Sequence, residues 1–352
     1  MGLFSRRTKE GPEDGQRATI AGFWRWWLEE GRDLATGATG DSGTRERFVA
    51  EMARAVDCLH PDLGWETAPG RDSAHLLTVT AAGIPELRPI ARRWRMAAPP
   101  GDEIWTYSDV RLPIAGDLTV QRLEVDGRSY DVSLATVDAR VRGVSLDVTV
   151  HHPEYPAVSE QERQMVTYLM LDQVLGEEAV ETWLGTIESS ELPALDPVPI
   201  AGLRSVVESL RGASFGADGT ANYAMLQGVG PTGSPVVVLA RLPLRPATAP
   251  HLDTYVGVVV PYADRTESGL PGPGSLDALR ALEDHVAQLL GPSGEVLAVE
   301  SHEGRRILHV YVDGLTPAAE QVRVAVSGWD QGQVQMQVLP DPAWSAVAHL
   351  RT

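Results

Sequence analysis

The sequence predicts an α+β protein of two α/β units, the C-terminal one a ferredoxin-like βαββαβ unit with a preceding β-hairpin and antiparallel sheets. Three observations carry that expectation. β-Branched runs alternate in polarity, two apolar stripes recur at helical spacing, and residues 254–339 read strand, helix, strand, strand, helix, strand. The expected division is a disordered N-terminus at 1–17, an N-terminal α+β domain at 18–190, a linker and helix at 191–213, and the ferredoxin-like domain at 214–352.

In chain order, residues 20–30 (IAGFWRWWLEE) start the fold as a helix with Phe23 and Trp27 on one face, and 31–43 read as a loop. Aromatics at this spacing supply core more often than a ligand platform, because they dominate buried area. Residues 44–59 form a second helix through Phe48, Met52, Val56 and Leu59. Residues 63–67 and 74–80 pair as a hairpin. In the helix at 85–96, Leu87, Ile90 and Trp94 face inward, and Arg88, Arg92, Arg93 and Arg95 face largely outward. That arginine cluster is either a solvated face or a contact for an anion or acidic partner.

Residues 118–125, 130–137 and 141–150 alternate as strands, with Asp126-Gly127 as the first hairpin turn. Ser159 followed by Glu162 makes a capping box for the next helix, and 182–188 return as a strand. The order repeats loosely after 222, which suggests an internal duplication joined near the proline-rich stretch 189–199.

The C-terminal reading is the firmest. Residues 254–262 (TYVGVVVPY) are a β-branched strand. Ser275 stands at a helix start, and Leu276, Leu279, Leu282, Val286, Leu289 and Leu290 make its stripe before Gly291-Pro292 ends it. Asp277, Arg280, Glu283 and Asp284 take the wet face. Residues 295–300 and 306–312 form a hairpin in which Gly304 supplies positive φ. Thr316-Pro317 opens a last helix through Val322, Ala325, Val326 and Trp329, and 332–339 close the sheet.

Chemistry is sparse. A net charge of −18 repels nucleic acid and anionic membrane, so neither is an expected partner; it suits a basic protein, although solubility alone also accounts for it. One cysteine, Cys58, forms no intramolecular disulfide and fits a reducing cytoplasm. No run is apolar enough to span a bilayer, and no charged-then-apolar leader opens the sequence. His151, His152 and Glu154 could supply metal ligands, but adjacent residues point apart on a strand, Pro153 adds a turn, and no second pair of ligands sits at a recognised spacing, so no metal site is expected from them. No catalytic set and no cofactor motif stands out: GLPGPGS precedes a helix but lacks the lysine of a phosphate loop.

One surface is a candidate site. On the strand at 306–312, Leu308, Val310 and Val312 share one face, and Ile307, His309 and Tyr311 share the other. Both helices of a ferredoxin-like unit cover a single face. The reverse, with Ile307, His309, Tyr311, Gln335 and Gln337, is then either a protein- or ligand-binding platform or the face on which the second domain packs.

The run Y-x-G-V-x-V-P-Y, then S-G-L-P, L-x-x-L-E-D and E-G-R-R-I-L-H-V-Y-V, closing on Asp341-Pro342-x-Trp344, resembles a bacterial family called domain of unknown function 695, over roughly 215–352. Glu303 departs from the small polar residue usual in that family's turn, and the F-W-R-W-W segment resembles the region that often precedes the domain. The resemblance implies no catalytic residue. A similarity in shape to regulators of ribonuclease E activity, type B, implies a protein-binding role. The expected function is therefore that of a non-enzymatic acidic regulator or inhibitor that docks a basic partner protein. The alternatives are a small-ligand binder or enzyme using a cleft between the two domains, and an assembly module.

Overall fold

The structure, a computed structural model, describes residues 12–38 and 42–351. The fold class is α+β, and the chain forms two compact units, Met1–Asp109 and Val110–Thr352. That boundary falls inside the stretch 18–190 read from sequence as one domain, because residues from Leu118 to Leu210 share a core of their own.

In the first unit, α1 (Pro12–Trp26) continues through a π-turn at Trp27–Gly31 into α2 (Arg32–Gly37), followed by α3 (Ser42–Leu59). Of the stretch expected to be disordered, 1–11 lie outside the described residues and 12–17 are helical. The loop expected at 31–43 is likewise helix at 32–37, with 39–41 outside the described residues. The π-turn needs Gly31: a β-carbon there would lie 2.9 Å from the Trp26 ring. Then come β1 (Gly64–Ala68), β2 (His75–Thr80), α4 (Arg88–Met96) and β3 (Trp105–Ser108), with β1 antiparallel and β3 parallel to β2. The aromatic stripe is core. Trp24 stacks on Trp94 at 4.7 Å and donates its indole N–H to the Trp94 carbonyl at 2.9 Å, and the Trp27 indole donates to the Tyr107 hydroxyl at 3.0 Å.

The second unit begins with the hairpin β4 (Arg122–Val125) and β5 (Arg128–Asp131), turned through Asp126 and Gly127 at φ 48° and 79°. Next are β6 (Thr136–Arg142), β7 (Ser145–His151), α5 (Glu160–Leu175), α6 (Glu177–Trp183), β8 (Leu184–Ser190), β9 (Val198–Pro199) and α7 (Leu203–Ser214). The strands expected at 130–137 and 141–150 are cut differently. The Asp131 carboxylate accepts from the Ser133 N–H at 3.1 Å and folds Val132–Leu134 into a turn, a local bond that competes with the ladder. Ser159 caps α5 by accepting from the Glu162 N–H, but the Glu162 carboxylate takes the Tyr130 hydroxyl at 2.6 Å instead of closing the capping box.

The C-terminal part holds β10 (Tyr223–Val229), β11 (Pro235–Arg241), β12 (Thr254–Pro261), α8 (Pro273–Leu290), β13 (Gly294–His302), β14 (Arg305–Val312), α9 (Ala318–Val326) and β15 (Gln335–Pro340). The sheet order is β10-β11-β13-β14-β12-β15, antiparallel throughout. Val256, Val258, Val260, Leu308, Val310 and Val312 pack under α8 and α9. Ser275 is not the cap of α8. It lies inside the helix, where its hydroxyl accepts from the Asp264 N–H at 2.9 Å and donates to the Gln331 side chain at 2.6 Å. The duplication is not reflected in topology: β7 and β8 are parallel neighbours, whereas β14 separates β12 from β13. No helix among the described residues is long and apolar enough to cross a membrane.

Candidate functional site

Alternation along β14 turns Ile307, His309 and Tyr311 to the face away from α8 and α9. Register sets Tyr255 beside Tyr311 and Gly257 beside His309 on β12, and Glu300 beside Ile307 on β13. Gly257 is required because the Tyr255 ring lies across it; a β-carbon there would meet the Tyr255 hydroxyl at 2.6 Å. That leaves the hydroxyl 3.0 Å from His309 Nδ1.

The chain covers half of this face itself. Asp341 Oδ2 accepts from the Tyr311 hydroxyl at 2.6 Å, and the carboxylate also accepts from the Ser345 and Ala346 N–H groups at 2.8 and 2.9 Å. Trp344, at φ 53°, lays its ring 5.1 Å from that of Tyr311 and donates to the Leu252 carbonyl at 2.8 Å. Val347 and Leu350 complete the cover, and Arg351 ties it down by donating to the carbonyls of Leu244, Ala343 and Trp344. The Asp-Pro-x-Trp ending is thus a lid on the sheet.

At the margin of the lid three imidazoles surround one carboxylate. His302 Nε2 lies 3.4 Å, His309 Nε2 3.7 Å and His349 Nε2 3.8 Å from Glu300. The His309 imidazole holds the Glu300 carboxyl below its ordinary value of 4.5, against the opposing effect of burial and with help from His302 and His349. Burial and the carboxylates of Glu300 and Asp341 push the Tyr255 phenol up to about 12. Burial alone would raise Asp341, but the Ala346 and Ser345 N–H groups and the Tyr311 hydroxyl bring it below the usual carboxylate value; Tyr311 is correspondingly raised, by burial and then by Asp341. Among the described residues no three His, Cys, Asp or Glu groups converge as metal ligands.

Because Glu300 is depressed in the fold, its contribution to stability is present above the unfolded value and is lost as pH falls through the folded one. Glu300→Gln should therefore lower the melting temperature at pH 7, with the gap to the parent narrowing below pH 4.5. A gap of constant size from pH 7 to pH 3 would contradict this assignment.

The residues named from sequence scatter across this frame. Tyr311 is fully buried under Trp344 and His309 is nearly so, which corrects the expectation of an open platform there; Ile307 is half-buried, and Gln335 and Gln337 stay exposed on the edge strand β15. The arginines of α4 were expected outward. Instead Arg88 and Arg93 are buried, Arg88 donates to the Asp109 carbonyl at 3.3 Å, Arg92 pairs with the Asp109 carboxylate at 2.7 Å, and Arg93 donates to the Gln16 side chain at 3.2 Å. Only Arg95 of the four is exposed, so they brace the helix rather than form a basic patch. His152 is buried with Nε2 3.1 Å from the Asp131 carbonyl, and His151 Nδ1 is 3.1 Å from the Ser190 carbonyl, so the two point apart. Sequence reasoning missed Tyr255, Glu300, His302, His349 and Asp341. The alternation of Glu300 and His302 on one strand was a usable signal; His349 offered none.

A second feature lies where the sheet outruns its helices. On the α8 side of β10 and β11, Tyr223 is 46% exposed, Met225 67%, Val229 75% and Leu239 42%. Register places Met225 directly beside Leu239, and β10 ends the sheet.

No curated protein and no solved structure matches the chain. Residues 233–349 match the model of a family of unknown function, DUF695.

Proposed function

We propose that this chain acts by binding a protein partner rather than by catalysis, as an acidic, cytoplasmic regulator or inhibitor. The observation that carries the reading is the bare margin formed by Tyr223, Met225, Val229 and Leu239 on the β10–β11 hairpin. Apolar side chains grouped on an uncovered sheet face favour burial against a partner. An edge strand offers unpaired N–H and C=O groups to an incoming strand. The net charge of −18 steers encounter toward a basic partner. The docking surface then sits on the α8 side of the sheet, not on the lidded reverse.

The test is crosslinking followed by reconstitution. A photo-crosslinker at position 225 should capture a partner in cells. With the purified pair, Met225→Asp combined with Leu239→Asp should weaken binding at least about tenfold, as expected where truncation of central contacts costs more than 1 kcal/mol each. Affinity should fall as salt rises. Unchanged affinity of the double variant, with its fold intact, would overturn the reading.

A further inference from the structure

We propose that a cavity in the second unit binds a small zwitterionic carboxylate carrying an aromatic group, of about dipeptide size. This goes beyond the docking reading and uses different residues. The cavity, about 430 Å³, lies between α6, the end of α7, the turn after it, the end of β11 and Thr248. Its volume falls in the range of small-molecule sites, roughly 300–1,000 Å³.

The deep wall supplies donors. Arg241 is 7% exposed, pinned by Glu295 Oε1 at 3.0 Å from Nε and by donation to Thr248 Oγ1 at 2.6 Å. A guanidinium has five N–H donors, so these two partners leave others to offer. Its orientation is set in advance, which lowers the cost of binding an anion. Trp183, 2% exposed, lines the same cavity, and its indole N–H donates to no described residue. Phe215 stands 6.3 Å from the Trp183 ring in an edge-to-face arrangement, an apolar wall suited to a third ring.

The rim is mixed. Arg211 adds a positive charge, while Glu178 and Glu208 add two negative ones. A polyanion such as a phosphorylated nucleotide would meet repulsion there. A single carboxylate placed deep, against Arg241 and the Trp183 N–H, avoids it, and an ammonium at the rim meets Glu178 and Glu208. A molecule with both groups and a ring laid against the Trp183–Phe215 wall matches all of these surfaces.

Titration calorimetry of the full chain with Gly-Phe, its C-terminal amide and its N-acetyl form provides the test. Gly-Phe should bind, the amide at least tenfold more weakly, and the N-acetyl form several-fold more weakly. Arg211→Glu, on the exposed rim, should weaken Gly-Phe several-fold with an unchanged melting temperature, and Arg211→Lys should restore much of the loss. Arg241→Gln should abolish binding, with circular dichroism confirming that the variant folds. Absence of heat with all three probes overturns the proposal, as does an amide that binds as well as the acid, or an Arg211→Glu variant that binds like the parent.

Discussion

Trp344→Ala should remove about 3–5 kcal/mol of unfolding free energy, the range for truncating a buried tryptophan. Trp344 is fully buried, touches the Tyr311 ring and anchors its N–H on the Leu252 carbonyl. Its backbone sits at φ 53°, where a residue other than glycine costs about 1–3 kcal/mol. Alanine at the same φ keeps that cost and loses the packing that offsets it, so the lid from Asp341 to Leu350 should detach. Trp344→Phe separates the contributions: it keeps most of the apolar contact but leaves the buried Leu252 carbonyl without its donor, a cost of about 1–3 kcal/mol. Urea denaturation followed by circular dichroism measures the free energies. Hydrogen exchange at β14 should accelerate in Trp344→Ala if the lid shields the reverse face. An alanine variant as stable as the parent would show that residues 341–350 merely lie on the sheet.

That lid also marks the limit of what the sequence could disclose. The helices and strands between 254 and 326 were legible because their apolar residues keep one period each, and the two faces of β14 follow from alternation alone. Alternation says which way a side chain points, not what lies above it. Tyr311 reads the same whether it meets a partner or Trp344, 33 positions later in the chain. The same ambiguity hides the bare margin: Met225 and Leu239 look like core residues until the sheet proves wider than its helices. The α4 arginines misled for a different reason. Charge predicts exposure unless a partner compensates, and Asp109 supplies that partner from beyond the helix. The histidine cluster was half legible, since His309 sits on a readable strand while His349 joins it only through the lid.

Leu282→Asp should unfold the C-terminal part of the second unit, whereas Asp284→Ala should change stability by no more than about 0.5 kcal/mol. The two positions are neighbours on α8 and differ in what the helix turns them toward. Leu282 is 9% exposed and packs with Leu279, Val286 and the strand valines; Asp284 is exposed. Losing the leucine forfeits about 1.5–3 kcal/mol of burial. Setting a carboxylate in its place adds a desolvation penalty of several kcal/mol per ion. Together these rival the roughly 5–15 kcal/mol that holds a whole domain. Glu283, between them, shows what a carboxylate on this helix needs in order to be partly buried. It is half-buried, and Arg306 donates to it at 2.6 Å while also donating to Ser301 at 2.9 Å. Burial still raises the Glu283 pKa above its ordinary value despite that guanidinium. The carboxylate introduced by Leu282→Asp would have the burial without the arginine, since the surroundings of Leu282 are apolar. Thermal melts of the two variants should therefore separate widely, and coincident melting temperatures would mean that the stripe of α8 does not hold the sheet.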